Sequence, residues 1–415
     1  MAIHASRRGF LGASLSLMAA APATAQAPAM QYRVLGKTGL KVSVLGFGCM
    51  TTSDPSVIEQ AADAGVTYFD TARGYQSGNN ERMVGAALKS RRDKLTISSK
   101  SKSSTYAQAM EHLETTLREL QTDHIDIWYL HALSKTAEVK DELLDAQDEA
   151  RRQGKIRFRG VSTHSNMTEL IPALVAKRRT DVVLTAYNFT MDPAMDATVE
   201  AASKSGMGIV AMKVMAGGFR TNRPGSPLQE KLSREGAMAS ALKWAVRNPV
   251  VHTAIPGIMD LDQLDENFKA VAGGWQDADR KILAAQLHAI RPLYCSMCNQ
   301  CGGVCAKGLP HSDIIRYVSY AEGYGEFQLG MENYRALPAN LQQVNCADCA
   351  ECSVHCPKEC KSPRVARAQG VVCMKAILLL LAFAIAAGRG STCAVIPGWR
   401  AGNSATSKRK RCSNT

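Results

Sequence analysis

Residues 65–100, GVTYFDTARGYQSGNNERMVGAALKSRRDKLTISSK, contain the two runs that set the reading of the chain. Thr67–Asp70 and Leu95–Ser98 are short, rich in β-branched and aromatic residues, and separated by a longer segment. Working outward, similar runs occur at Val44–Phe47, Ile125–Leu130, Phe158–Val161, Val182–Ala186, Ile209–Met212 and Thr253–Ile255. Helical stretches such as Tyr106–Glu119, Lys140–Arg152 and Ala237–Val246 lie between them, the pattern of repeated βα units. Eight expected strands spread over residues 31–290 match the strand number of a (β/α)8 TIM barrel, for which ~250 residues is typical. Ahead of them, Tyr32–Lys41 carries a Gly36-Lys37-Thr38-Gly39 turn between extended flanks. That is expected to form a hairpin plugging the bottom of the barrel. The fold class is therefore α/β.

Barrel enzymes build their active sites at the carboxyl ends of the strands. Asp70 ends the second expected strand, Tyr75 follows in its loop, Lys100 follows the third strand and His131 ends the fourth. Any one of these residues is commonplace as a buried ion pair or a satisfied core histidine. Four of them in order at one face form a catalytic set.

These residues also carry a resemblance. Gly65-x3-Phe69-Asp70-Thr71-Ala72-x2-Tyr75, continuing to Asn80-Glu81-x2-Val84-Gly85, is similar to the pattern of the aldo-keto reductase family. Gly36-x-Thr38-Gly39-Leu40-x-Val42-Ser43, Ile97-Ser98-Ser99-Lys100, Gly154-Lys155-Ile156-Arg157, Gly160-Val161-Ser162, Ile255-Pro256-Gly257 and Glu266-Asn267 extend it across residues 31–290. The resemblance implies an oxidoreductase that interconverts a carbonyl and an alcohol on a small aldehyde, ketone or sugar by hydride transfer. Tyr75 would supply the proton, Lys100 the neighbouring charge that makes a phenol of pKa ~10 a useful acid, and Asp70 the counter-charge for Lys100. His131 would orient the carbonyl.

The same resemblance implies a nicotinamide cofactor, NADP or NAD, held by Ser162, Thr163, Tyr187, Lys213, Gly217, Gly257, Glu266 and Asn267. The chain departs from the family pattern at several of its positions. Thr163 stands for an asparagine, Leu184 for a glutamine and Met212 for a ring-stacking tyrosine. Gly257 and Gln263 stand where basic residues would meet a 2′-phosphate.

Past the barrel, Cys-x2-Cys-x2-Cys-x3-Cys occurs twice: Cys295, Cys298, Cys301, Cys305 and then Cys346, Cys349, Cys352, Cys356, the second closed by Pro357. In two-cluster bacterial ferredoxins the fourth cysteine of each run ligates the other cluster. Two [4Fe–4S] clusters are expected, one on Cys295, Cys298, Cys301 and Cys356, the other on Cys346, Cys349, Cys352 and Cys305. Zinc and disulfides are the other readings. Three cysteines within seven residues suit tetrahedral zinc poorly, and disulfides between such close neighbours would staple almost nothing. Residues 291–365 are thus expected as a small α-rich ferredoxin-like domain, like the extension of an iron–sulfur subgroup of the same family.

The ends read as processing signals. Ser6-Arg7-Arg8-Gly9-Phe10-Leu11 is a twin-arginine pattern, followed by a weakly apolar stretch and Ala23-Thr24-Ala25, so residues 1–25 are expected to direct folded export to the periplasm. Residues 366–415 are a basic and apolar tail whose run Ala376–Ala387 is too short to span a bilayer of ~20 helical residues. It fits a read-through or fusion, or an interfacial anchor, and membrane association is not expected. The net charge of +13 comes from the ends: residues 361–415 carry ten Lys/Arg and no Asp/Glu, and residues 1–30 add Arg7 and Arg8. Residues 31–360 hold 38 basic against 37 acidic residues, which argues against nucleic acid as a partner. A redox partner protein is compatible with the clusters. The rival reading is an iron–sulfur electron carrier whose barrel serves as a docking scaffold.

Overall fold

A ring of parallel strands frames the molecule. The computed structural model describes residues 30–217, 234–292, 294–298, 300–323, 327–344, 349 and 352–360. The expected signal segment, Gly218, Cys346 and the tail lie outside them. A hairpin of β1 (Tyr32–Val34) and β2 (Lys41–Ser43) precedes the ring. The ring itself is β3 (Phe47–Gly48), β4 (Tyr68–Asp70), β5 (Thr96–Ser101), β6 (Ile125–Leu130), β7 (Ile156–Thr163), β8 (Val182–Ala186), β9 (Gly208–Met212) and β10 (Thr253–Ala254). Each strand pairs in parallel with the next, and the bridges Leu45↔Ala254 and Gly48↔Gly257 join the last strand to the first. This is the expected (β/α)8 barrel.

The strands read as apolar runs because helices cover the outside of the ring while side chains fill the inside, so both faces are buried. All six residues of β6 are buried, and its bounds coincide with the expected ones. The first strand differs. It was expected at Val44–Phe47, but the Ser43 hydroxyl donates to the Leu45 carbonyl at 2.6 Å and bends the chain, so regular pairing starts at Phe47.

The hairpin closes the bottom as expected. Leu35, Leu40 and Val42 pack into the barrel interior with Tyr68, Ile127, Tyr129, Val182, Leu184 and Val210. Gly36 makes this possible: its φ is +52°, and a Cβ there would stand 2.5 Å from the Gly208 nitrogen. Inside the ring the Tyr68 and Tyr129 hydroxyls meet at 2.8 Å, and Gly160 leaves the room that the Tyr129 ring fills.

Sequence punctuation places the outer helices. Helix α1 (Pro55–Asp63) starts with Pro55 in its first turn and an Asp54 side chain that accepts from Ser56 N at 2.8 Å. Thr105 caps α3 (Tyr106–Leu120) in the same way. α2 (Asn79–Leu88), α4 (Asp141–Arg152), α5 (Met167–Lys177), α6 (Pro193–Lys204), α7 (Ala237–Val246), α8 (Leu261–Gly273) and α9 (Asp277–Ile290) complete the outer layer.

Beyond Ile290 the chain packs over the carboxyl ends of the strands. Ser296 bonds Thr190 at 3.2 Å, and α10 (His311–Val318) and α11 (Phe327–Arg335) contribute side chains to the pocket above the barrel. A short α12 (Ala339–Gln342) follows. Among the described residues no helix is long and apolar enough to cross a membrane.

Candidate active site

Asp70 and Lys100 occupy the upper ends of β4 and β5, and register brings them together. Asp70 pairs with Ser98, two residues before Lys100 and on the same face of β5. Lys100 is 1% exposed and Asp70 2%. The ammonium of Lys100 donates to Asp70 Oδ2 at 2.5 Å, to the Thr71 carbonyl at 2.7 Å and to the Tyr75 hydroxyl at 3.3 Å. Ser98 donates to Asp70 Oδ1 at 2.7 Å. The Tyr75 and His131 rings meet edge to face, centroids 6.0 Å apart. The four expected residues therefore form one constellation.

The Asn80-Glu81 part of the motif holds the loop that presents Tyr75. Asn80 accepts from the Thr71 hydroxyl at 2.6 Å and donates to the Cys49 carbonyl at 2.8 Å. The buried Glu81 accepts from Ser99 at 2.6 Å and Thr116 at 2.8 Å, and forms an ion pair with Arg73. The backbone of Arg73 in turn donates to the Lys100 carbonyl at 3.0 Å. The motif couples the loop to the strand that carries the lysine.

One expectation is revised. The Lys100 charge was expected to make Tyr75 more acidic, yet the Tyr75 phenol is held well above its ordinary pKa, first by burial and then by the negative charge of Asp70. Asp70 lies closer to Lys100 than Tyr75 does and neutralises most of its field. Tyr75 is thus a protonated donor. The His131 imidazole is pushed well below its ordinary value by burial, then by Lys100, Lys102 and Arg316. It is neutral at physiological pH and has one N–H to offer.

Asp70, Tyr75 and His131 line a cavity of about 270 Å³, whose other wall includes Met212, Lys213, Gly217 and Gly257. Gly257 and Met215 also line a smaller adjoining pocket with Gln263, Glu266 and Asn267. The two share these lining residues, so the cavity leads from the tetrad towards α8. Lys213 sits in it with φ +54°, its ammonium 4.5 Å from the centroid of the Tyr320 ring.

Other cofactor expectations fare differently. Ser162 and Thr163 are fully buried, with Ser162 Oγ accepting from Ala132 N at 2.8 Å and Thr163 donating to the Ser165 carbonyl at 3.0 Å. Tyr187 is corrected: it packs outward against Trp244 of α7, centroids 4.9 Å apart, and its hydroxyl donates to Asp196 at 2.6 Å. Side chains alternate along a strand, and residue 187 takes the outward parity of Val183 while Leu184 points in.

Sequence reasoning missed His164 and the whole roof: Asp313, Arg316, Tyr317 and Tyr320 from α10 and the turn after it, with Leu329 and Asn333 from α11. Their signal was residues 306–345, a long segment between the two cysteine runs. It carries aromatic and basic residues that ligating clusters would not need.

The cysteine runs themselves come together. Gly302 and His355 form an antiparallel bridge with hydrogen bonds of 2.9 and 3.0 Å. Burial, then the neighbouring Cys356 and Cys298 sulfurs, push the Cys301 thiol up. The Cys295 thiol is pushed up to about 12 by burial, with a smaller upward push from Cys360, which lies outside both runs. Cys295, Cys298, Cys301, Cys305, Cys349, Cys352 and Cys356 take part in no disulfide among the described residues. Among the described residues no three His, Cys, Asp or Glu side chains gather into a metal-holding group.

Comparison with known proteins fits the barrel. The model of the aldo/keto reductase family matches residues 48–284. An uncharacterized oxidoreductase, YqkF of Bacillus subtilis, is 25% identical over 307 residues, covering 64% of this chain and 98% of its own. L-galactose dehydrogenase of Arabidopsis thaliana is 24% identical over 286 residues, 58% of this chain and 88% of its own. The holo form of the aldo-keto reductase AKR11C1 from Bacillus halodurans superposes with a TM-score of 0.54 at 26% identity, covering 62% of this chain and 96% of its own. With the family pattern running through more than half of its residues and the barrel built to match, the chain belongs to the aldo/keto reductase family and is an oxidoreductase.

Proposed function

We propose that the protein reduces the carbonyl of a small substrate to an alcohol, and catalyses the reverse reaction, using NADP or NAD. One observation carries the reading: a buried Asp70–Lys100 pair, with the Lys100 ammonium 3.3 Å from the Tyr75 hydroxyl, at the floor of a cavity that also holds His131. A bound nicotinamide dinucleotide supplies hydride to the carbonyl carbon. Lys213, Gly217 and Gly257 in the cavity, and Glu266 and Asn267 in the adjoining pocket, are the residues that would hold the dinucleotide. Neutral His131 donates its N–H to the carbonyl oxygen and fixes its place. Tyr75 gives its phenolic proton to the oxygen as negative charge develops there. The phenolate left behind meets the Lys100 ammonium, so the charge that Tyr75 acquires is stabilised where it forms.

The two cysteine runs are proposed to hold two [4Fe–4S] clusters, in agreement with their spacing and the Gly302–His355 pairing. The described thiols do not converge three at a time, and no electron step is derived through them. Export by the twin-arginine route, with cofactors inserted before transport, is part of the same proposal. The alternative, an electron carrier with a scaffold barrel, draws on Leu184, Met212 and the outward-facing Tyr187.

Replacing Tyr75 by Phe separates the two. The hydroxyl goes while the ring stays, so reduction of an aldehyde in the presence of NADPH or NADH should fall ~100-fold or more, with the fold retained. An unchanged rate in the Tyr75→Phe variant would leave the tetrad a structural feature and favour the carrier.

A further inference from the structure

We propose that the substrate carries a carboxylate, seated at the roof of the active-site cavity between Arg316 and His164. The inference rests on the carbonyl-reductase reading and names its substrate class: an oxo acid rather than a neutral aldehyde or sugar.

Arg316 is 9% exposed and reaches the cavity from α10. Its Nη2 lies 3.0 Å from Asp313, but its Nε has no hydrogen-bond partner although it is buried. On the same cavity wall His164 is 8% exposed, and its Nδ1 is also buried without a partner. A buried polar nitrogen left unmatched costs ~1–3 kcal/mol, so two lining one cavity point to a ligand that completes them, and an anion selects the His164 tautomer with its proton on Nδ1.

The charges around them specify its sign. Lys102 lines the same cavity and makes no ion pair or hydrogen bond among the described residues. The acidic neighbours are committed elsewhere. Asp70 is locked to Lys100, and Glu138 accepts from the backbone N–H groups of Ser134 at 2.6 Å and Lys135 at 3.1 Å. Asp313 and, more weakly, Glu138 oppose Lys102, while Lys213 adds a third cation to the same cavity. Burial and then Arg316 push the Lys102 ammonium down, and burial and then Arg316 also push the His164 imidazole down. Each of these groups therefore gains from an anion placed among them. With Asp70 offset by Lys100, the cations Lys102, Lys213 and Arg316 against Asp313 and Glu138 leave roughly a single positive charge to match. That suits a carboxylate better than a phosphate dianion. The planar carboxylate also suits the guanidinium edge.

The test compares 4-formylbenzoate with 4-formylbenzamide, which have nearly the same shape and differ in charge, using the full-length protein and NADPH or NADH. The parent should favour the acid in kcat/KM by about 10- to 100-fold, the scale of one charge-assisted hydrogen bond. In Arg316→Gln the acid-to-amide ratio should fall towards one, through a raised KM for the acid. A merely structural arginine would weaken both substrates alike. Asp313→Asn keeps the arginine and removes its counter-charge, so KM for the acid should drop roughly threefold. That variant decides the matter if Arg316→Gln does not fold. Equal reduction of acid and amide by the parent, or an unchanged ratio in Arg316→Gln, overturns the carboxylate seat and leaves the reductase reading standing. A parent inert towards both aldehydes overturns the reductase reading, and the seat falls with it.

Discussion

Replacing Lys100 by Met measures how much of this site is an electrostatic unit. In the parent, Asp70 has two partners of consequence, Lys100 at 2.5 Å and Ser98 at 2.7 Å, and it is 2% exposed. Methionine fills most of the lysine's volume but removes the charge, so the packing survives while a buried carboxylate keeps one hydroxyl donor. Breaking a buried pair from one side costs ~3–5 kcal/mol at neutral pH. Burial already pushes the Asp70 carboxyl up against the pull of Lys100, and without the lysine it rises further. A carboxyl whose folded-state pKa exceeds its unfolded value of ~3.9 is bound more tightly when protonated. The deficit should therefore be small in acid, grow as pH rises above the unfolded value of ~3.9, and level off once pH passes the raised folded value. Urea unfolding followed by far-UV circular dichroism at pH 7 and pH 5 reads it directly: a large loss of stability at pH 7, and a smaller one at pH 5. Adding Asp70→Asn to Lys100→Met should restore most of the loss. A single variant within about 1 kcal/mol of the parent at pH 7, or a deficit that does not depend on pH, would refute the reasoning.

Protein purified without oxygen should be brown and hold about eight irons per chain, and Cys305→Ser should damage the second run's cluster more than its own; zinc in place of iron would sink the assignment. Lysine at both Arg7 and Arg8 should strand the folded precursor in the cytoplasm, as cell fractionation would reveal, whereas normal export would remove the twin-arginine reading. Because His131 is held neutral by burial and nearby cations, the pH dependence of kcat/KM should show no ionisation near 6.5. A limb there that disappears in His131→Asn would contradict the neutral-imidazole assignment.

Much of the barrel was legible because its strands are covered on both faces. Ile125–Leu130 and Val182–Ala186 have the bounds that their apolar runs suggest, since nothing interrupts pairing with their neighbours. The first strand was not legible. A serine hydroxyl competing for a nearby carbonyl changes where the ladder begins without changing hydrophobicity. Asp70, Lys100 and His131 could be placed because each lies at or within one residue of a strand end, and strand ends share a rim. Tyr187 failed through parity: one residue along a strand is the difference between the cavity and the helix layer. His164 lies one residue past β7 and carries no motif of its own. Arg316 and Tyr320 lie more than 180 residues from His131 in sequence, and no local periodicity reports which rim a distant helix will cover.

The roof has a mechanical consequence. The described residues 306–323 and 327–344 lie between two runs that meet at the Gly302–His355 bridge, so the roof is a loop clasped at its base. Closing such a loop once costs entropy that grows slowly with its length. With the clasp shut, the helices bearing Arg316 and Tyr320 stay over the barrel mouth. The clasp joins residues 53 positions apart and is separate from the Leu45–Ala254 and Gly48–Gly257 bridges that close the barrel. Any reagent that opens the clasp should silence an otherwise folded barrel.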